Sequence, residues 1–234
     1  MNLPAPAALM EGLLWSLVTL AVFWAARRIH RRWPLPLLAP ILVTPIVVGL
    51  VILATGTAYS RYINGTGWLV WMLGPATVAF AVPVWEQRAL VRAYWPVLAV
   101  AMLAGSIAAV ASSWALARLV GLEGELLLSL VPRSISTPFA MEVSADLGGI
   151  PGLTAVFVIA TGLFGALAGD LMLARIGART ALARGAAYGV AAHAIGTARA
   201  LQSGEEQGAI AGLSMVLTGV LNVLAAPLLV AMLR

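Results

Sequence analysis

"RSISTPFAM" (residues 133–141) interrupts an apolar chain with an arginine, three hydroxyls and a proline, and sixty residues later "HAIGTARAL" (193–201) interrupts it again. At that offset Thr137 stands over Thr197 and Ala140 over Ala200. Extended to 136–156 and 196–216, the two stretches share Thr, Ala, Gly, Ile, Gly, Leu and Val at seven of twenty-one positions without a gap. The replacements Glu142/Gln202, Asp146/Glu206 and Thr154/Ser214 keep polarity or size, and the pair reads as an internal repeat.

The chain around these breaks is that of a membrane protein. Of 234 residues 62% are hydrophobic and 10% charged, with a mean hydropathy of +0.98, far from the composition of a soluble domain. All fourteen basic residues are arginine, most of them at the ends of apolar runs, so the net charge of +5 reports topology. No basic stripe offers itself to nucleic acid. Cysteine is absent, which excludes disulfides and thiolate chemistry, and His30 and His193 are too few and too far apart for a metal site. No spacing resembles a hydrolase triad or a phosphate loop, so neither an enzyme nor a cofactor is expected. The opening "MNLPAPAALMEG" lacks a basic n-region and is not expected to be a cleaved signal peptide.

Hydropathy predicts a first membrane helix at 6–26, ending in Arg27, Arg28, Arg31 and Arg32. The positive-inside rule puts that cluster in the cytoplasm and the N-terminus outside. Residues 37–55 return outward, "YSRYINGTG" (59–67) forms an outer loop, and 68–85 comes back in, interrupted at Gly74 and Pro75 and ending near Arg88 and Arg92. Residues 94–118 then run outward. A full crossing by 123–147 would put Arg175, Arg179 and Arg184 outside. The charges are satisfied if 123–147 is instead a re-entrant hairpin turning at "RSISTP", followed by a helix at 152–173 running inward. A second hairpin, 183–205, enters from inside and turns at "AIGT" (194–197), and the last helix, 207–232, leaves outward.

The expected fold is therefore all-α, a polytopic transmembrane helical bundle with two inverted repeats, each a broken or re-entrant helical hairpin followed by a transmembrane helix. A hairpin plus one crossing is an odd number of traversals, so tandem copies face opposite ways. Residues 1–120 form a scaffold and possible dimerisation region, and 121–234 a core with repeats 123–173 and 183–232.

Unpaired backbone groups at membrane depth survive only inside protein or beside a water-filled cavity, so two breaks predict one polar cavity. Pro138 suits the first turn of a helix with Ser136 or Thr137 as N-cap, and Gly196 and Thr197 take that role in the second unit. Two facing helix N-termini attract an anion, and Arg133 and Arg199 flank the breaks with guanidiniums suited to a carboxylate. The candidate substrate-binding set is Arg133, Ser134, Ser136, Thr137, Gly196, Thr197 and Arg199. Glu142 and His193 are the candidates for carrying a coupling proton. The plainer alternatives are that Arg133 and Glu142 fix hairpin packing, that Arg199 snorkels to the interface, and that His193 is structural. Asn222 is expected to bond a neighbouring helix, and Trp33, Trp85 and Trp95 to form an interface belt.

At "LGPATVAFAVPVW" (73–85), "PRSISTPFAMEVSADLGGIPGLTAVFVIATGLFGA" (132–166) and "AAHAIGTARALQSGEEQGAIAGLSM" (191–215) the sequence resembles the LrgB/CidB family of bacterial membrane proteins. The family's more usual lysine after the proline is Arg133 here. The resemblance implies a multi-pass protein of the bacterial inner membrane, and it implies two functions. One is antiholin-like regulation of murein hydrolase activity and lysis with an LrgA/CidA-type partner. The other is carriage of small carboxylates such as pyruvate or glycolate. Two polarised helix breaks favour the carrier, with a small carboxylate, an LrgA/CidA-like protein, the lipid bilayer and a second copy of the chain as expected partners.

Overall fold

The computed structural model describes residues 6–72, 75, 78–79 and 81–233. By its contacts the chain divides into Met1–Ala76 and Thr77–Arg234. This is a division of packing, whereas the boundary expected near 120 is one of repeats.

In the first unit α1 (Pro6–Arg32) is followed by a 3-10 turn (Pro36–Leu38), α2 (Pro40–Ala54) and α3 (Tyr59–Trp71). The stretch "YSRYINGTG", expected to be an outer loop, is the body of α3. Its glycine serves contact between helices: a Cβ at Gly65 would lie 2.6 Å from the Cα of Gly12 on α1. Around that crossing Trp68 Nε1 donates to Ser16 Oγ (2.9 Å), and Thr19 and Tyr62 hydroxyls meet at 3.2 Å. Trp15 and Tyr62 stack edge to face with ring centroids 5.6 Å apart. Small residues that let backbones approach are what helix pairs need where lipid removes the hydrophobic drive.

The second unit begins with the short α4 (Ala81–Glu86) and continues with α5 (Arg88–Leu119), α6 (Gly124–Leu130), α7 (Thr137–Leu147), α8 (Pro151–Arg175), α9 (Ala181–Ser203) and α10 (Glu205–Leu233). The helix expected at 68–85 is thus interrupted after Trp71, where α3 ends with Met72 as its C-cap. Of the break anticipated there, Pro75 is helical and Gly74 lies outside the described residues. Among the described residues four helices are long and apolar enough to cross a membrane: Met10–Arg32, Arg88–Leu119, Pro151–Arg175 and Glu205–Met232. α2, at 15 residues, is apolar but shorter.

Both broken segments double back. Between α6 and α7 the chain is non-helical from 131 to 136, yet Ile150 N–H donates to Ser129 Oγ (2.7 Å) and Thr154 Oγ1 donates to the Ser129 carbonyl (2.9 Å). Ser129 and Ile150 therefore sit at one level, which twenty residues of continuous helix would separate by about 30 Å. In α9 the fold-back is at His193, whose φ of 41° and ψ of −133° are not helical. Gly185 on one arm meets Gln207 and Ile210 of α10, while Leu201 on the other arm meets Gly208. A Cβ at Gly196 would lie 2.6 Å from the Tyr188 carbonyl oxygen, so the two arms touch. The second turn is therefore one residue before "AIGT", and Gly196 is needed for close approach of the arms, not as their N-cap.

The core of this unit joins the first hairpin to its neighbours through Val131, Ile135, Val143, Leu147 and Val158, all buried. At the foot of α7, Gly148 ends the helix at φ 86°, where glycine carries no Cβ penalty. Asn222 Nδ2 donates to Ser106 Oγ (2.8 Å) and to the Thr218 carbonyl (2.8 Å), joining α10 to α5 as its place in an apolar helix suggests.

Candidate functional site

The first break is built as a helix start. Ser136 is extended (φ −62°, ψ 145°) and precedes α7, with Pro138 in the first turn. Proline there forfeits only an amide that would have no intrahelical partner. The Ser136 side chain makes no capping bond, and its buried Oγ has no hydrogen-bond partner among the described residues. Arg133 projects from the tip of this hairpin. Its Nε donates to Ser113 Oγ (2.9 Å), one Nη to Thr161 Oγ1 (3.3 Å) and the other Nη to Ser112 Oγ (3.4 Å). Among the described ion pairs none includes Arg133. Its partners are neutral hydroxyls on α5 and α8.

Arg133 also lines a cavity of about 290 Å³ with Thr161, Phe164, Gly165, Gly169, Met172 and Leu173 of α8 and with Ala187, Tyr188, Ala191 and Ala192 of α9. The last two stand directly before His193, so the tip of the first hairpin and the approach to the second turn share one cavity. The α8 wall is glycine-rich for a steric reason: a Cβ at Gly165 would lie 2.5 Å from Ala192 Cβ, and one at Gly169 would lie 2.6 Å from the Tyr188 ring. The buried Tyr188 hydroxyl adjoins the Asp170 carboxylate.

His193 holds the second turn. Its Nε2–H donates to the Val158 carbonyl (2.8 Å), and its ring is buried over Gly162, where a Cβ would stand 2.4 Å from Cε1. A positive φ in a residue with a Cβ costs of order 1–3 kcal/mol and persists only where surrounding contacts enforce it. Here the bond to Val158 and the packing on Gly162 do so.

Arg199 is engaged elsewhere. It donates through Nε to Asp170 Oδ2 (3.0 Å) and through an Nη to Gln202 Oε1 (3.1 Å). The same Asp170 carboxylate pairs with Arg184 through its other oxygen. One acid on α8 thereby clasps both arms of α9, a role for Asp170 that its position near a helix end does not reveal. The only available signal was the excess of arginine over acid in 175–199.

The remaining candidates are placed as follows. Ser134 is buried and Thr137 half-buried at the first break. Gly196 is buried between the arms, and Thr197 faces Met215, Oγ1 to Sδ 3.9 Å. No hydrogen bond among the described residues joins Ser134, Ser136 or Thr137 to Gly196 or Thr197. Glu142 is exposed on α7, away from the buried faces of that helix. Three further buried side-chain atoms without hydrogen-bond partners among the described residues, Ser214 Oγ, Thr218 Oγ1 and Gln207 Nε2, lie along α10.

Long apolar helices interleaved with broken, polarised segments define a multi-pass membrane protein. The sequence model of the LrgB-like family matches residues 19–232, and the chain belongs to that family. The uncharacterized protein YxaC of Bacillus subtilis is 37% identical over 215 residues, covering 92% of this chain and 93% of that protein. YwbG of the same organism is 36% identical over 218 residues, covering 93% and 97%. The holin-like protein CidB of Staphylococcus epidermidis is 31% identical over 221 residues, covering 94% and 96%. No solved structure matches the chain.

Proposed function

We propose that the chain is a secondary transporter of small monocarboxylates, pyruvate and glycolate among them, in the bacterial inner membrane. The observation that carries this reading is Arg133, a guanidinium at a helix break whose described partners are three hydroxyls and which lines a cavity shared with the second broken segment. A charge at membrane depth is costly and is retained where it meets a counter-charge or a ligand. A carboxylate bound there completes a bidentate pair, and Ser134, Ser136 and Thr137 at the adjoining break offer further donors. Arg199 acts with Asp170 as a clasp on the second hairpin rather than as the first anion contact, with Gly196 and Thr197 forming the arm that moves.

Two inverted repeats, 123–173 and 183–232, belong to this reading. Arg133 and His193, at the two turns, are sixty residues apart. The contact of Ser129 with Thr154 has its counterpart sixty residues on, where Gly189 meets Ser214. Opposed copies give a site reachable alternately from each side, with the hairpins moving against residues 6–118 and a homodimer formed through the latter. The N-terminus lies outside, and Arg27–Arg32 and Arg175–Arg184 lie in the cytoplasm. A cysteine in place of Ile150 is then labelled from outside and one in place of Arg179 from inside; the reverse contradicts the topology.

The second reading, regulation of lysis with an LrgA/CidA-type membrane partner, is favoured by the holin-like name that the CidB relatives carry. Uptake of labelled pyruvate or glycolate into proteoliposomes separates the two. A carrier takes up substrate saturably and loses this in Arg133→Ala, whereas a regulator takes up none even with its partner present.

A further inference from the structure

We propose that the end of α1 is a binding site for the headgroup of an anionic phospholipid, a property independent of whether the chain transports. Trp24, Arg28 and Arg32 recur every four residues along one face, and with Ala25, Ile29 and Trp33 they enclose an open cavity of about 430 Å³. The Arg28 guanidinium lies 5.5 Å from the Trp24 ring centroid. Trp24 and Trp33 are both more than half exposed.

Charge decides the occupant. Arg27, Arg28, Arg31 and Arg32 fall within six residues, and none of them is in an ion pair among the described residues. Glu11, the acid of α1, lies near the other end and pairs with Arg61 at 3.5 Å. Guanidiniums bind phosphate oxygens through parallel hydrogen bonds, and tryptophans favour the headgroup level of a bilayer. Ala25 and Ile29 supply an apolar floor beneath the charges, which suits the glycerol and first acyl carbons of a lipid and gives nothing to a free anion. A basic pocket at the edge of a membrane-length helix is the kind of surface that selects anionic headgroups.

The test is native mass spectrometry of the full chain released from detergent with phosphatidylglycerol or phosphatidylcholine added. Phosphatidylglycerol should bind about tenfold more tightly, in the wild type and in Arg61→Gln, and the preference should vanish in Arg28→Gln/Arg32→Gln. Equal binding of the two lipids, or a preference kept in the double variant, overturns the proposal. Inorganic phosphate binding as tightly as the lipid overturns the choice of a lipid. Should the double variant fail to fold, raising salt from about 0.1 M to about 1 M must erase the wild-type preference, and a preference that survives counts against the proposal.

Discussion

His193 donates from Nε2 to the carbonyl of Val158 at 2.8 Å, and this bond ties the turn of the second hairpin to the N-terminal third of the helix that follows the first. The two broken segments are thereby coupled through α8, which also receives Arg133 at Thr161.

The histidine sits at φ 41°, ψ −133°, close to the conformation of a glycine at the first central position of a type II′ turn. His193→Gly relieves the backbone and loses the Val158 bond, whereas His193→Ala loses the bond and keeps the strain. The alanine variant should therefore be the less stable, by about 1 kcal/mol or more. Melting of the two purified variants in detergent checks the order; equal melting would show that backbone strain at 193 is immaterial.

Gly162 lies beneath the same ring. Gly162→Ala places a Cβ 2.4 Å from His193 Cε1 and should cost about 1–3 kcal/mol in thermal unfolding. Gly152→Ala, on the same helix but with nothing within 4 Å, should be neutral or stabilising by about 0.5–1 kcal/mol. Similar melting of the two would contradict the close approach of α9 to α8.

Asp170 clasps both arms of α9 through Arg184 and Arg199, with about a third of its side chain exposed. Asp170→Asn should weaken the hold on the second hairpin and raise the reactivity of a cysteine at exposed Leu201. In a double-mutant cycle Asp170→Asn and Arg199→Ala should couple by about 1 kcal/mol, modest because water and entropy reduce partly exposed pairs. Strict additivity would make the pair a bystander.

The bond from Asn222 to Ser106 joins α10 to α5 within apolar surroundings. Asn222→Leu with Ser106→Ala should give a coupling of about 0.6 kcal/mol, the scale of hydrogen bonds between membrane helices. Chemical unfolding in mixed micelles measures it.

The helical class, the two broken segments and their sixty-residue spacing were legible because polarity at membrane depth is rare and proline has few places to sit. Pro138 marked its turn for that reason. The second turn was misplaced by one residue because Gly196 looks like the natural turn former, while the strain falls on His193, held there by contacts from α8 that no local pattern encodes. "YSRYINGTG" read as a loop because its glycines serve helix crossing and turns equally well, and only Gly12 across the contact decides between them. Arg199 drew attention by its nearness to a break, yet its carboxylate partner lies twenty-nine residues away in sequence on a neighbouring helix. Arg133 stood out equally in sequence and structure, since no acidic residue lies within seven positions before or after it.

The most direct test is saturable uptake of labelled pyruvate and glycolate into liposomes holding the purified chain, compared with Arg133→Ala and Arg133→Lys. Loss of uptake in the alanine variant, with a raised KM in the lysine variant and unchanged folding of both, is the result expected of a carboxylate held by the guanidinium. Uptake unaltered by Arg133→Ala, or no uptake by the wild type with or without an LrgA-like partner, would contradict a carboxylate carrier centred on Arg133.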